Sequence, residues 1–182
     1  MRLPLDTMTS VREVRDEPTV TRAGEALPAP IAGVVVERLR MHADHRGRLM
    51  QCYDPAHPFW SDGPIVWAYN FTIRPGRIKG WGMHKRQVDR YLVLDADMRA
   101  VLYDGREESA THKRLHVVDF TRGTPGLLRI PPGVWHASHN WGDFEAVCMN
   151  FPTAAFDPED PDKYRIDPHS GEIPFDFTLR DY

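Results

Sequence analysis

Short runs of alternating hydrophobic and polar residues dominate the chain from residue 31 to residue 151. A period of two residues predicts a β-strand with one buried face. The run 65–74 shows this most clearly, and its larger side chains share one face: Trp67, Tyr69, Phe71 and Ile73. The pattern predicts about ten strands, at residues 31–40, 48–53, 65–74, 78–85, 89–94, 98–103, 115–120, 127–130, 135–139 and 145–151.

Clusters of glycine, proline and aspartate separate these strands, and only residues 157–164 are expected to form a helix, a short one. Many short strands at nearly regular spacing, without alternating helices, are typical of an all-β sandwich or barrel. Residues 1–30 are polar, contain several prolines and lack a sustained period. We therefore expect a flexible N-terminal arm at 1–30 and a single β-domain at 31–182.

Composition and charge exclude several classes of function. A net charge of -3 provides no basic surface for nucleic acid, and no apolar run approaches the roughly 20 residues of a membrane helix. The first residues lack the apolar core of a signal peptide. Cys52 and Cys148 lie far apart in strand-like runs, so we expect free thiols in the cytoplasm, with a disulfide as the less favoured alternative.

The most informative motif is the Pro-Pro-Gly turn at residues 131–133, which is followed by a strand carrying His136. Proline cannot donate to a sheet ladder, so the turn separates two strands and fixes the direction of His136. The pattern Pro-x-Gly-x-x-His-x-x-x-Asn resembles the second motif of the cupins, which are small jelly-roll barrels. The alternative interpretation is an ordinary hairpin turn with a partly exposed histidine.

Other motifs extend this resemblance to the dTDP-4-dehydrorhamnose 3,5-epimerases. The matching segments run in the same order in both: 44–47 (Asp-His-Arg-Gly), 77–84 (Arg-Ile-Lys-Gly-Trp-Gly-Met-His), 130–136 (Ile-Pro-Pro-Gly-Val-Trp-His), 157–159, 167–168 and 173–177. The resemblance implies a cupin-type jelly-roll β-barrel, a small-molecule nucleotide sugar as substrate, a homodimer and no cofactor.

The chemistry of that family is proton abstraction beside a sugar ketone, and the resemblance assigns the base to His84 and its orienting carboxylate to Asp167. A histidine suits the base because its ordinary pKa is near neutral, and a carboxylate on its second nitrogen stabilises the imidazolium. The alternative interpretations are a solvated strand histidine and an ordinary Asp-Pro turn residue.

Two family residues are missing here. The tyrosine that acts as an acid on the opposite sugar face corresponds to Asn150, an amide that cannot deliver a proton. The lysine that steadies the enolate corresponds to a position near Asp89, which has the opposite charge. Tyr91 shares a strand face with Asp89 and is the predicted replacement acid, although a core-filling tyrosine is the commoner case. Any of three arginines is a possible substitute for the lysine: Arg86, Arg90 or Arg129.

The resemblance also nominates residues that bind substrate. Phe156 corresponds to the ring that stacks on the base, and Arg46 to an arginine that contacts phosphate. Trp81 replaces a second family arginine. The predicted substrate-binding residues are therefore Arg46, Trp81, Arg90, His136, Asn150 and Phe156.

Three interpretations of function remain open at this stage. The chain is a nucleotide-sugar epimerase or isomerase, a non-catalytic or divergent cupin that binds a sugar or other small ligand, or a metal-dependent cupin enzyme. We expect no metal, because His84 is followed by Lys85 rather than by the His-x-His of metal cupins. Gln87, Asp89 or His139 would have to complete a site that His84 and His136 began.

Overall fold

The computed structural model describes residue 18, residues 20–24 and residues 31–178. Most of the expected arm at 1–30 lies outside these described residues. One 3-10 turn spans Pro58–Trp60. The described strands are β1 (Val35–Arg38), β2 (Met41–Asp44), β3 (Gly47–Met50), β4 (Tyr69–Ile73), β5 (Ile78–Met83), β6 (Asp89–Asp95), β7 (Met98–Asp104), β8 (Leu115–Phe120), β9 (Gly126–Ile130), β10 (Val134–Asn140), β11 (Ala146–Asn150) and β12 (Tyr164–Arg165).

Ten of these strands form two five-stranded antiparallel sheets. The first sheet has the order β1-β9-β6-β11-β4, the second has the order β12-β5-β10-β7-β8, and β2 and β3 form a separate hairpin. Non-consecutive strands are neighbours in both sheets, as in a jelly roll. The prediction of an all-β, cupin-type jelly roll is confirmed.

Three apolar clusters hold the layers together. The largest lies between the two sheets and includes Val93, Leu102 and Leu128. A second cluster, on the outer face of the second sheet, packs Trp81 against residues near the end of the chain such as Phe177. A third lies on the outer face of the first sheet, beneath the 3-10 turn. Apolar side chains therefore fill much of the space between the two sheets.

The structure corrects the predicted elements in two places. Strand β2 was not predicted, and the helix predicted at 157–164 is wrong, because this segment is extended and ends in β12. The prolines at 158 and 161 explain the absence of a helix, since proline removes a backbone donor and restricts the residue before it.

Two further expectations concern cysteines and the membrane. Cys52 is half-buried, Cys148 is buried, and both are free thiols. Among the described residues, no helix has the length and apolar character needed to cross a membrane.

Candidate functional site

A buried carboxylate lies between two imidazole rings at the polar end of the interior. Asp89 Oδ2 is 3.2 Å from Nε2 of His84 and 3.5 Å from Nε2 of His136. The histidines come from the second sheet, directly after β5 and within β10, whereas Asp89 opens β6 in the first sheet. Asp89 is 1% exposed and His136 is 9% exposed. The two sheets therefore bring opposite potential charges together where little water reaches them.

Only one oxygen of the Asp89 carboxylate is fixed by hydrogen bonds. Its Oδ1 accepts from Nε2 of Gln87 at 3.0 Å and from Nδ2 of Asn150 at 2.9 Å. Its Oδ2 is buried and has no aligned hydrogen bond with any described residue. A buried carboxylate oxygen left without a donor is costly, and such atoms are typical of sites that act on a ligand.

Hydrogen bonds from two segments orient the ring of His84. Its Nδ1–H donates to the backbone carbonyl of Asp162, and the N–H of Gly133 in the Pro-Pro-Gly turn donates to the His84 carbonyl at 2.7 Å. A carbonyl can only accept, so Nδ1 carries the hydrogen, and Nε2 of the neutral ring has the lone pair. Nε2 is the nitrogen that faces Asp89 Oδ2, without an aligned hydrogen bond.

The Asp162 side chain holds the segment between the histidine and the buried carboxylate. Its two oxygens accept from the backbone N–H groups of Lys85, Arg86 and Gln87 at 2.9, 2.8 and 3.1 Å. These bonds lower the pKa of Asp162, although burial acts in the opposite direction. The segment 85–87 is thereby fastened to the extended segment that replaces the predicted helix.

The charges in the site shift each other's pKa. Burial disfavours the charged form of His84, but the hydrogen-bonding contact and charge of Asp89, together with the Asp162 carbonyl, raise the pKa of His84 above its usual value. The pKa of Asp89 is lowered because the two imidazoles outweigh its burial. Burial lowers the pKa of His136. His84 is thus the stronger base of the two histidines.

An amide and a phenol lie on the wall formed by the first sheet. Asn150 Nδ2 is 2.9 Å from both Asp89 Oδ1 and the hydroxyl oxygen of Tyr69, to which it donates. Asn150 Oδ1 accepts from the backbone N–H of Arg90 at 3.1 Å. Tyr69 is opposite Asn150 in the β4–β11 register. Burial and the charge of Asp89 raise the pKa of Tyr69, and the Asn150 hydrogen bond partly offsets this effect.

Two connected cavities open from this network. The inner cavity, of about 90 Å³, contains His84, Asp89 and His136 in its lining. The outer cavity, of about 580 Å³, has the size of a typical ligand site and is lined by aromatic residues including Phe156. Three residues line both cavities: Tyr69, His84 and Lys163.

The prediction that Asp167 orients His84 is wrong. Asp167 is exposed, and its Oδ1 accepts from the backbone N–H of His169 at 2.9 Å. Arg165 is opposite Gly82 in the register of β12 with β5, so Asp167 continues along β5 away from His84. The carboxylate beside the His84 ring belongs to Asp89.

Two predicted substrate-binding residues face away from the cavities. Trp81 is 1% exposed and packs against Phe177 with a ring-centroid distance of 5.5 Å. Arg90 is fully buried, and its guanidinium donates to the carbonyls of three residues: Gly63, Pro64 and Phe151. Successive side chains of a strand point to opposite faces. Trp81 lies three residues before His84, and Arg90 lies one residue after Asp89, so each points away from the face of the neighbouring site residue.

The other predicted residues lie in different surroundings. Tyr91 lines the inner cavity, is 6% exposed and packs edge-on against His136 with a centroid distance of 6.1 Å. Phe156 is 60% exposed in the outer cavity. Arg46 is exposed on the β2–β3 hairpin, pairs with Asp44 at 2.6 Å and lines neither cavity. The two remaining arginines form ion pairs: Arg86 with Asp160 and Arg129 with Asp62.

Sequence reasoning did not nominate Tyr69, Asp162 or Lys163. The signal for Tyr69 was present, since it falls on the same predicted face as Phe71, and both line the inner cavity. Asp162 and Lys163 fall in the segment misassigned as a helix, so no strand face indicated where they point.

The same residues have the donor atoms for a metal ion. The nearest ligand atoms of His84, Asp89 and His136 lie within 4.8 Å of one another. Two imidazoles and a carboxylate are a donor set that divalent transition metals accept. The short Asp89 contacts equally suit an ion pair between a carboxylate and an imidazolium.

Comparison with known proteins gives a consistent group of relatives. No family model matches the chain. The chain is 31% identical over 137 residues to the probable low-salt glycan biosynthesis epimerase Agl13 of Haloferax volcanii, covering 75% of this chain and 87% of that protein. It is 32% identical over 137 residues to the spore coat polysaccharide biosynthesis protein SpsL of Bacillus subtilis, covering 75% and 89%.

A solved structure extends the likeness to the fold. The crystal structure of a dTDP sugar isomerase from Desulfovibrio desulfuricans superposes with a TM-score of 0.77 at 28% identity, covering 86% of this chain and 98% of that chain.

Proposed function

Because the chain belongs to the family of sugar epimerases that resemble dTDP-4-dehydrorhamnose 3,5-epimerase, we propose that it is a nucleotide-sugar epimerase or isomerase. The proposed reaction removes a proton from the carbon beside the ketone of a 4-keto-6-deoxy sugar nucleotide, in deoxysugar biosynthesis. The observation that carries the proposal is the His84 Nε2 lone pair, which faces a cavity beside a buried carboxylate.

His84 acts as the general base in this proposal. The carbon-bound proton moves to Nε2, and the electron pair of the C–H bond enters the enolate. Asp89 stabilises the imidazolium that forms, because its charge lies 3.2 Å away in surroundings that exclude water. The raised pKa of His84 makes this ring a stronger base than an ordinary histidine.

Lys163 supplies the positive charge that the enolate oxygen needs. It lines both cavities, so its ammonium group can reach a ketone oxygen beside His84. Burial, Arg165 and Lys79 lower the pKa of Lys163, and Asp89 acts in the opposite direction. A cation aimed at developing negative charge is often the largest single contribution to such a step.

The outer cavity is the proposed site for the nucleotide. The exposed rings of Trp67 and Phe156 line it and offer flat apolar faces on which a base can stack. Arg86 lines the same cavity and can pair with phosphate. His136, whose Nε2 is 3.5 Å from Asp89 Oδ2, lines the inner cavity at the sugar end. Asn150, which was also predicted to bind substrate, is fully buried and lines neither cavity, so its contact is with Asp89 and Tyr69 instead.

We also propose that the enzyme is a cytoplasmic homodimer, as expected from the sequence. The exposed β2–β3 hairpin supports the dimer, because Arg46 lines neither cavity of its own chain, and a substrate-binding role would require a second copy. The free thiols of Cys52 and Cys148 are consistent with a reducing compartment.

The test is solvent deuterium exchange into dTDP-4-keto-6-deoxyglucose, followed by mass spectrometry and NMR. The wild type is expected to incorporate deuterium beside the ketone, and His84→Asn is expected to slow incorporation by about 100-fold or more. His116→Asn, on β8 and outside both cavities, is the matched control. Exchange at the wild-type rate in His84→Asn would refute the base assignment.

A metal-dependent cupin enzyme is the second candidate function, favoured by the three close ligand atoms of His84, Asp89 and His136. Metal analysis of the same preparation separates the two. Exchange that survives chelation in metal-free protein supports the proposed base mechanism. Stoichiometric bound metal, with exchange lost on chelation, supports the second candidate.

A further inference from the structure

The hydrogen bonds of Asn150 point to a different residue for the acid role that the sequence assigned to Tyr91. We propose that Tyr69 is the acid that delivers a proton to the sugar face opposite His84, and that Asn150 positions it. This inference rests on the proposed epimerase function, because only inversion at carbon requires an acid on the second face.

The two groups belong to opposite walls of one cavity. His84 follows β5 in the second sheet, and Tyr69 opens β4 at the edge of the first sheet. Both line the inner and the outer cavity. A sugar ring bound between the sheets therefore has the imidazole on one side and the phenol on the other.

The Tyr69 hydroxyl is prepared to donate. Its oxygen accepts a hydrogen bond from Asn150 Nδ2 at 2.9 Å, and its own hydrogen has no acceptor among the hydrogen bonds of the described residues. The Asn150 N–H stabilises negative charge on that oxygen after the proton has left. Asn150 is an amide and cannot be the acid, but it is fully buried and fixed by Asp89 and the Arg90 backbone.

Tyr91 is less suited to this role. It is 6% exposed, lines only the inner cavity, and packs edge-on against Phe71 and His136. No hydrogen bond to its hydroxyl is found in the described residues. Tyr69 is 40% exposed, so the Tyr69 hydroxyl can exchange its proton with solvent between turnovers.

Solvent returns His84 and Tyr69 to their starting protonation states after the reaction. His84 Nε2 takes the proton from carbon, and the enolate then takes the hydroxyl proton of Tyr69 on its opposite face while the ketone re-forms. The products of this step are an inverted carbon, an imidazolium and a phenolate. Water in the outer cavity, which both residues line, carries a proton from His84 back to Tyr69.

The test measures exchange and inversion separately in D₂O with dTDP-4-keto-6-deoxyglucose. For Tyr69→Phe, the rate of inverted product is expected to fall by about 100-fold or more, while deuterium exchange stays within about tenfold of the wild type. His84 alone can still remove a proton and return a deuteron on one side. Tyr103→Phe, in β7 and outside both cavities, is the matched control for the substitution.

Each other outcome identifies what has failed. Inversion retained in Tyr69→Phe but lost in Tyr91→Phe overturns the inference and returns the acid to Tyr91. A wild type that exchanges without inversion overturns the inference and leaves a ketoisomerase. A wild type that neither exchanges nor inverts refutes the proposed function itself, and circular dichroism of Tyr69→Phe excludes loss of fold as the cause of a loss in that variant.

Discussion

Two buried aspartates, Asp89 at the start of β6 and Asp104 at the end of β7, differ in how their oxygens are used. Both oxygens of Asp104 are saturated by donors from the loop that follows β7: Arg106, Ser109 and Thr111. Asp89 has donors on Oδ1 alone, and its Oδ2 faces two imidazoles without an aligned hydrogen bond. Both side chains are almost completely buried. A saturated carboxylate stabilises the fold, whereas a half-saturated one retains an interaction for a reacting group.

The largest expected effect is on catalysis in Asp89→Asn. Loss of the charge removes the stabilisation of the His84 imidazolium, so we expect deuterium exchange to fall by about 100-fold. The free energy of unfolding should fall by no more than about 1 kcal/mol, because the amide oxygen can still accept the hydrogen bonds from Gln87 and Asn150. Exchange kinetics and urea unfolding measure the two effects. If Asp89→Asn lost stability but kept the wild-type rate of exchange, Asp89 would stabilise the fold, as Asp104 does, and would have no part in catalysis.

The next effect is on stability in Asp104→Asn. The Asp104 carboxylate accepts five hydrogen bonds. In Asp104→Asn, an NH₂ group replaces one of the two oxygens, and this donor then faces the N–H and O–H donors that the oxygen had accepted from. We expect a loss of about 3 kcal/mol near pH 7, with exchange within about twofold of the wild type.

The contribution of Asp104 to stability depends on pH, and a second aspartate provides a control. Donors lower the folded-state pKa of Asp104 although burial opposes them. The stabilisation is therefore fully present above the unfolded pKa of about 4 and is lost as pH falls below it. Asp119→Asn, in a partly exposed pair with Arg99, should cost less than about 1 kcal/mol. Equal losses at positions 104 and 119 would refute the role assigned to the saturated carboxylate.

The smallest expected effect is a shift in the pH profile of exchange. His84 must be neutral to accept a proton, so the rate should rise with pH through the His84 pKa, which Asp89 and the Asp162 carbonyl raise against the effect of burial. In Asp89→Asn the remaining activity should rise at a lower pH, because the neighbouring negative charge is gone. A pH–rate series on both proteins measures the midpoints, and identical midpoints would show that Asp89 does not act on His84.

Alternation along single strands predicted much of the fold and part of the site. It assigned Asp89 and Tyr91 to one face of β6, and both line the inner cavity. The same rule excludes Trp81 and Arg90 from that cavity. Trp81 was nominated because it corresponds to a family arginine, and Arg90 as a substitute for the missing family lysine, both without regard to strand face. A motif match alone is therefore weaker evidence than the period of the strand that carries it.

Contacts between segments that are distant along the chain could not be predicted from the sequence. The pairing of Asn150 with Tyr69 depends on β4 lying beside β11, which no local pattern specifies. The assignment of the orienting carboxylate to Asp167 failed because the register of β12 on β5 decides which residue reaches His84. Asp162 and Lys163 were not predicted as site residues because their segment was predicted to form a helix, which the prolines at 158 and 161 prevent.

The hydrogen bonds of Asp162 also set the order in which the site matures during synthesis. The acceptor for His84 Nδ1 and the clamp on residues 85–87 both come from residue 162, which leaves the ribosome after eleven of the twelve described strands. Lys163 follows it directly. A nascent chain can thus pair every described strand except β12 while the His84 ring is still unaligned, and the site becomes able to react only when this late segment docks.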